Sequence, residues 1–230
     1  RVENSFINYF SENTEIFQGL KLIDEQLGGT TPLELVVKID DDFGDVLDPE
    51  DLKGLTEEEI EMEREFAKEQ ANSPQYWFTP DKIQRIKEVH DYLDGLPEIG
   101  KVLSLASTVR VAEDYAEEEL DGMQLALLYT KIPPKVRKDL IDPYVSIDNN
   151  EARFFARVLD SKHDLRRKEL LEKVRTDLVK KLGFEKQNVI VSGLLVLYNN
   201  MLQSLFRSQI KTIGVVMLGI AIMFLVLFRS

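Results

Sequence analysis

Asp40, Asp41, Asp42, Asp45 and Asp48 crowd five carboxylates into nine residues, a density that raises the question of calcium. An EF-hand loop takes Gly at its sixth position and Glu at its twelfth. Counted from Asp40, the sixth residue is Asp45 and the twelfth is not Glu, so the run reads as a solvated acidic loop. The two histidines, His90 and His163, lie far apart in sequence. His90 sits on or beside an apolar helix face and His163 opens a helix beside Asp164, so neither makes a metal set by itself. The chain has no cysteine, which removes disulfides, thiolate nucleophiles and Cys-based zinc sites. Ser192-Gly193 lacks the preceding Gly-x of a nucleophile elbow, and no Walker-type phosphate loop is present. No catalytic constellation emerges, so the expectation is a protein that is not an enzyme and needs no cofactor.

Two aromatic clusters remain. Tyr76, Trp77 and Phe78 would either line a path for an amphiphile or staple the entry of the next helix to the core, and packing is the favoured reading. Arg153 and Arg157 flank Phe154 and Phe155 and read as the charged rim of a sheet.

The strongest feature is an element rather than a residue. Ile213 to Phe228 reads IGVVMLGIAIMFLVLF, with no charge and no strongly polar side chain. Adding Ile210 to Thr212 gives about 28 Å at about 1.5 Å per residue, close to the roughly 30 Å hydrocarbon core of a bilayer. Lys211 would snorkel to the headgroups at the entry and Arg229 would close the far end. Gly214 and Gly219 are not spaced as a GxxxG pair, yet they permit close helix packing. The predicted partner of this segment is a lipid bilayer.

The net charge of −12 is carried by a region before that segment, where the 41 acidic residues concentrate. Such a surface repels phosphates, so nucleic acid is not an expected partner. The chain starts without Met and stops two residues past the apolar run, which predicts an internal piece of a longer protein.

Periodicity supplies the other elements. Val2 to Phe10 reads as an imperfect strand. Asn13 or Thr14 caps a helix with Ile16, Leu20, Ile23 and Leu27 on one face, stopped by Gly28-Gly29. Leu33 to Ile39 is a strand. Residues 40–73 read as an acidic surface insertion, with a capping box at Thr56 and Glu59 and a short helix over Glu57 to Gln70. Thr79-Pro80 starts a helix that carries Ile83, Ile86, Val89, His90 and Leu93 on one side and ends at Gly95. A strand follows around Lys101 to Ala106. Met123 to Tyr129 and Pro134 to Leu140 are helical. Glu151 to Leu159 is a strand, Lys162 to Leu182 a long helix capped by Gly183, and Asn188 to Leu197 a strand, or a strand that runs into a loop at Gly193. From about Tyr198 a helix without proline enters the apolar segment.

Three helix–Gly–strand modules recur, which implies layered α/β (α+β) packing. The expected result is two small sheets backed by helices, close to a ferredoxin-like arrangement. The expected division is residues 1–105, with the insertion at about 40–73, then residues 106–200, then a linker helix and transmembrane helix over 201–230.

The ordered set ENSFINYFSENTEIFQGLKLIDEQLGGTTPLELVVK, LPEIGKVLSL, NVIVSGLLVL and the helix through Gln209-Ile210-Lys211 resembles the extracytoplasmic porter region of the resistance–nodulation–division (RND) superfamily. Within it, the chain is similar to the hydrophobe/amphiphile efflux branch and its MMPL family. The resemblance covers nearly the whole chain and is weakest over residues 40–73. It implies ferredoxin-like porter subdomains facing the periplasm or cell exterior over residues 1–205, followed by the second transmembrane helix of one half. It further implies a multi-pass inner-membrane exporter of hydrophobic or amphiphilic molecules, such as lipids or drugs, driven by proton motive force. Partners would be the remaining transmembrane helices, a second porter domain, the transported molecule and a possible oligomer. The proton-relay carboxylates of that family lie in helices outside this chain. The alternative is a single-span membrane-anchored extracellular binding or assembly module without transport.

Overall fold

The computed structural model describes residues 7, 10–39, 56, 57, 60, 61, 77–162 and 165–228. The expected opening strand and the acidic run from Asp40 to Asp48 therefore lie outside the described residues, apart from Ile7 and Phe10. Of the expected insertion helix, Glu57, Ile60 and Glu61 are described and are helical, and the Ile60 N–H donates to the Thr56 carbonyl at 2.9 Å.

Helix α1 spans Glu15–Gln26. Thr14 is its N-cap, with Oγ1 accepting from the Phe17 N–H at 3.3 Å. The turn after it needs two glycines. Gly28 has φ +78° and Gly29 φ +107°. A Cβ on Gly28 would lie 2.8 Å from the Gly100 carbonyl oxygen, and one on Gly29 would lie 2.6 Å from that of Val158. The turn is thus seated backbone-to-backbone on two strands, which side chains would prevent.

Strand β1 (Thr31–Lys38) sends Leu33, Leu35 and Val37 into the core. Helix α2 (Pro80–Asp94) has Thr79 as N-cap and Pro80 in its first turn, and buries Ile83, Ile86, Val89, His90 and Leu93. Strand β2 follows at Ile99–Leu103. The expected continuation of that strand to Ala106 does not occur, because Ser104 caps a helix the sequence reading missed, α3 (Leu105–Ala116). Its Oγ accepts from the Ala106 N–H at 3.1 Å, while the Ser107 hydroxyl accepts from the Ser104 N–H at 3.3 Å. Helices α4 (Gly122–Lys131) and α5 (Pro134–Leu140) come next, then the two-residue strand β3 (Val145–Ser146).

Strand β4 (Glu151–Val158) alternates without fault. Ala152, Phe154, Ala156 and Val158 are buried; Arg153, Phe155 and Arg157 face the other way, and Arg153 pairs with Glu34 at 2.8 Å. Alternation of this kind is the mark of a sheet with one face on the core. Helix α6 (Arg167–Lys180) begins five residues later than expected. Between β4 and α6 the chain turns at Asp160-Ser161, both of whose N–H groups bond a side chain from α1. A short 3-10 turn at Lys186–Asn188 leads into β5 (Val189–Ser192), and α7 runs unbroken from Leu194 to Leu227. It starts four residues before the expected Tyr198, since Gly193 at φ +100° turns the chain straight from strand to helix.

Among the described residues there is one five-stranded antiparallel sheet, not two small ones. Its order is β2-β4-β1-β5, with β3 pairing the free end of β4. Strands from both sides of residue 105 alternate in it, so that boundary does not separate two sheets. β1, α2 and β2 form a β-α-β unit split by β4; β4, α6 and β5 form another, split by β1. One continuous core joins the inner face of the sheet to α2, α3 and α6. Each aliphatic side chain buried there contributes about 1.5–3 kcal/mol.

Candidate functional site

The last strand and the last helix meet at one end of the sheet, and a buried polar chain runs across that end. β5 finishes at Ser192, paired with Glu34 of β1. A Cβ on Gly193 would sit 2.9 Å from the Glu34 nitrogen and 3.1 Å from the Pro32 carbonyl oxygen, so the root of α7 lies directly on β1. Leu195 anchors it in the core. Over the Tyr198 ring, 5.9 Å from its centroid, lies the guanidinium of Arg167, the first residue of α6. Arg167 is buried and pairs with the buried Asp160.

From Asp160 the chain of contacts passes to α1. Asp24 is buried and its carboxylate accepts from four donors. Its Oδ1 takes the Thr30 N–H at 2.8 Å, the Thr30 hydroxyl at 2.7 Å and the Asp160 N–H at 3.0 Å; Oδ2 takes the Ser161 N–H at 2.8 Å. Burial alone would raise its pKa, but the hydrogen bonds from Ser161, Thr30 and Asp160 outweigh burial and hold the carboxyl below its ordinary value. A carboxylate so saturated and so held in its charged form is unsuited to proton transfer. Its work is to tie α1 and the β4–α6 turn together, while Asp160 and Arg167 carry the tie on to α7. Removing one member of a buried ion pair leaves an uncompensated charge, so this end of the sheet is kept as a unit.

The side chains singled out in the sequence fall elsewhere. Trp77 and Phe78 are both in the core, edge-to-face at 5.2 Å, with Phe78 stacked on Tyr129 at 4.8 Å; Tyr76 lies outside the described residues. The Trp77 indole N–H donates to Asn150 Oδ1 at 2.7 Å, and the same oxygen accepts from the buried Lys82 at 3.2 Å. His90 is buried, with Nδ1 2.9 Å from the Ser104 hydroxyl. Burial first, then the charge of Arg110, lowers its pKa against the opposing pull of Asp91 and Asp94. His163 lies outside the described residues. Among the described residues no three His, Asp or Glu side chains gather as a metal-binding group.

Lys211, Ile213, Gly214, Gly219 and Phe228 all lie exposed along or at the end of α7, and Arg229 is outside the described residues. A Cβ on Gly214 or Gly219 would meet nothing within 4 Å. Helix α7 contains an 18-residue window of mean hydropathy 2.5 with none of it buried, and is long and apolar enough to cross a membrane. Its 34 residues correspond to about 51 Å.

Asp24, Asp160 and Arg167 were not singled out in the sequence. The one available signal was Asp24 itself, an acid set next to Ile23 in an otherwise ordinary amphipathic helix. Compared with family models, curated proteins and solved structures, the chain matches none. What the fold and this site define is a mixed helix–sheet domain whose final strand passes directly into a helix of membrane-crossing length.

Proposed function

We propose that this chain is the extracytoplasmic porter domain and second transmembrane helix of one half of an RND-type exporter, driven by proton motive force and moving hydrophobic or amphiphilic molecules. The observation that carries the reading is the continuity of α7: one helix, without a break from Leu194 to Leu227, is rooted in the sheet at Gly193 and apolar over its far half. A rigid connection of this kind passes a displacement between a membrane segment and a domain above it. The two interleaved split β-α-β units support the same reading, because they give the sheet a ferredoxin-like connectivity. The sheet would lie on the periplasmic or external side of the inner membrane, and Asp24, Asp160 and Arg167 would couple α1 and α7 as the domain moves.

Sequencing the parent gene on both sides of the chain tests this first. Further hydrophobic spans after Ser230 and one before Arg1 are expected, and the ionisable residues inside them would mark the proton path. A stop codon soon after Ser230 would overturn the reading and leave a single-span anchored module. In the full transporter, a Gly-Gly insertion beside Ser204 should abolish transport while leaving the domain folded. Normal transport by that variant would rule out rigid coupling through α7.

A further inference from the structure

Strand β5 lies at one edge of the sheet, and among the described residues no strand pairs with its outer side. The direction of its backbone groups follows from register. The Ile39 N–H donates to the Asn150 carbonyl at 2.9 Å, which continues the β1–β4 ladder through Val37 opposite Ala152 and Leu35 opposite Phe154. Odd-numbered residues of β1 therefore bond β4, and the even-numbered Val36 and Glu34 bond Ile190 and Ser192 of β5. Val189 and Val191 are left with N–H and C=O turned outward. The Val191 carbonyl takes only a long contact from the Arg175 guanidinium, at 3.5 Å.

The two edges of the sheet differ. The β2 edge is guarded within the strand by a bulge between Ile99 and Lys101 and by the exposed Lys101 itself. β5 reads VIVS, regular and uncharged, and its Ile190 is the one large apolar strand residue among those described that is exposed. The charges near β5 belong to its neighbours. Arg175 and Lys180 of α6 and Lys186 of the preceding turn border this edge and are exposed, on a chain of net charge −12. Among the described residues none of the three pairs with a carboxylate. The nearby acids hold other partners, Asp177 with Lys181 at 2.8 Å and Glu185 with Gln187 at 2.6 Å.

We infer that the outer edge of β5 takes an extended acidic segment of a partner polypeptide as an added antiparallel strand. Main-chain bonds to Val189 and Val191 supply the pairing, and side chains on alternate sides supply the choice of sequence. Val191 is buried and Val189 half-buried on the α6 side, so partner residues opposite them point toward Arg175 and Lys180. Those residues are Asp or Glu, and the partner N–H displaces Arg175 from the Val191 carbonyl and frees its guanidinium for the carboxylate. The residue between them lies beside Ile190 on the open face and is apolar. The recognised pattern is acidic–apolar–acidic. A second copy of β5 does not fit, because edge-to-edge pairing would set the cations of one copy against those of the other. This inference does not rest on the transport reading, since a single-span anchored module would present the same edge.

The test uses the whole chain in nanodiscs of zwitterionic lipid and a capped fluorescent peptide containing Glu-Val-Glu-Val-Glu, followed by anisotropy and by amide hydrogen exchange. Binding is expected, with slowed exchange at Val189 and Val191. Replacing Arg175→Gln and Lys180→Gln together should weaken it by at least about tenfold, with thermal unfolding unchanged. N-methylating the peptide's glutamates should abolish binding, whereas N-methylating its valines should leave it, since only the former turn N–H toward β5. Equal binding of a Lys-Val-Lys-Val-Lys peptide, equal loss from both N-methylated peptides, or protection at β2 instead of β5 would each overturn the inference. So would β5 amides that are protected without peptide and lose that protection on Asp41→Asn, Asp42→Asn and Asp45→Asn, which would assign the edge to the chain's own acidic run.

Discussion

Helices α1 and α2 carry nearly the same apolar spacing and are held in opposite ways. In α2, Leu93 is 0% exposed, and Ile83, Ile86 and Val89 are buried with it. In α1, Ile16 is 55% exposed and Leu27 57%. The one buried residue of α1 is the acid Asp24. Burial fixes α2; hydrogen bonds from Thr30, Asp160 and Ser161 and the glycine turn at Gly28 fix α1. An apolar stripe therefore says that a helix has a side to hide and leaves open what it is hidden against. The difference also separates the energetics. α2 is part of the core, whereas α1 is fastened at its C-terminal end by groups that can be removed without opening a cavity.

That contrast can be broken most forcefully where the polar tie is deepest. Arg167→Leu removes the ion-pair partner of the buried Asp160 and should destabilise the domain by about 3–5 kcal/mol, read from urea unfolding. Leu93→Ala opens a cavity under α2 and should cost about 2–5 kcal/mol; because the helix is part of the core, amide exchange should accelerate across the sheet as well as in α2. Asp24→Ala removes one acceptor from three backbone N–H groups and should cost about 1–3 kcal/mol, with faster exchange confined to α1 and the 160–161 turn. Its pH signature sharpens the point. The folded pKa of Asp24 lies below its unfolded value of about 3.9, so its contribution is present above that pH and is lost as pH falls through the folded value. Thermal unfolding followed from about pH 5 downward should therefore decline less steeply in the alanine variant. Ile16→Ser and Leu27→Ser, at exposed positions, should each shift stability by no more than about 0.5 kcal/mol. A loss comparable to that of Leu93→Ala would mean that α1 is packed after all.

Local signals were readable where they act over one or two turns. Thr79-Pro80 announced α2, Gly28-Gly29 ended α1, and the run Glu151 to Leu159 read as the strand that β4 is, although its alternation in sequence is incomplete at Phe154-Phe155. The start of α3 was hidden because a serine at the third helical position replaces the usual Glu or Gln of a capping box, and Val102-Leu103 before it look like a strand that continues. The late start of α6 was hidden for a different reason. The turn that precedes it is held by a bond from Ser161 to Asp24, separated by 137 positions in the chain, and no window of sequence spans that. Nor could periodicity show that strands from both sides of residue 105 share one sheet, because the order depends on β4 inserting between β1 and β2. The polar site was the least legible part. Asp24, Asp160 and Arg167 acquire meaning only once the fold has brought them together.

Gly193 gives the molecule mechanical advantage. It is a fulcrum pressed on β1, with the whole length of α7 as the arm beyond it. Over an arm of about 51 Å, a tilt of about 5° at the fulcrum would sweep the far tip through about 4 Å. A repacking too small to disturb the sheet would thus arrive at Leu227 as a movement wider than a methyl group, and a push on that tip would return to β1 as a small, strong torque.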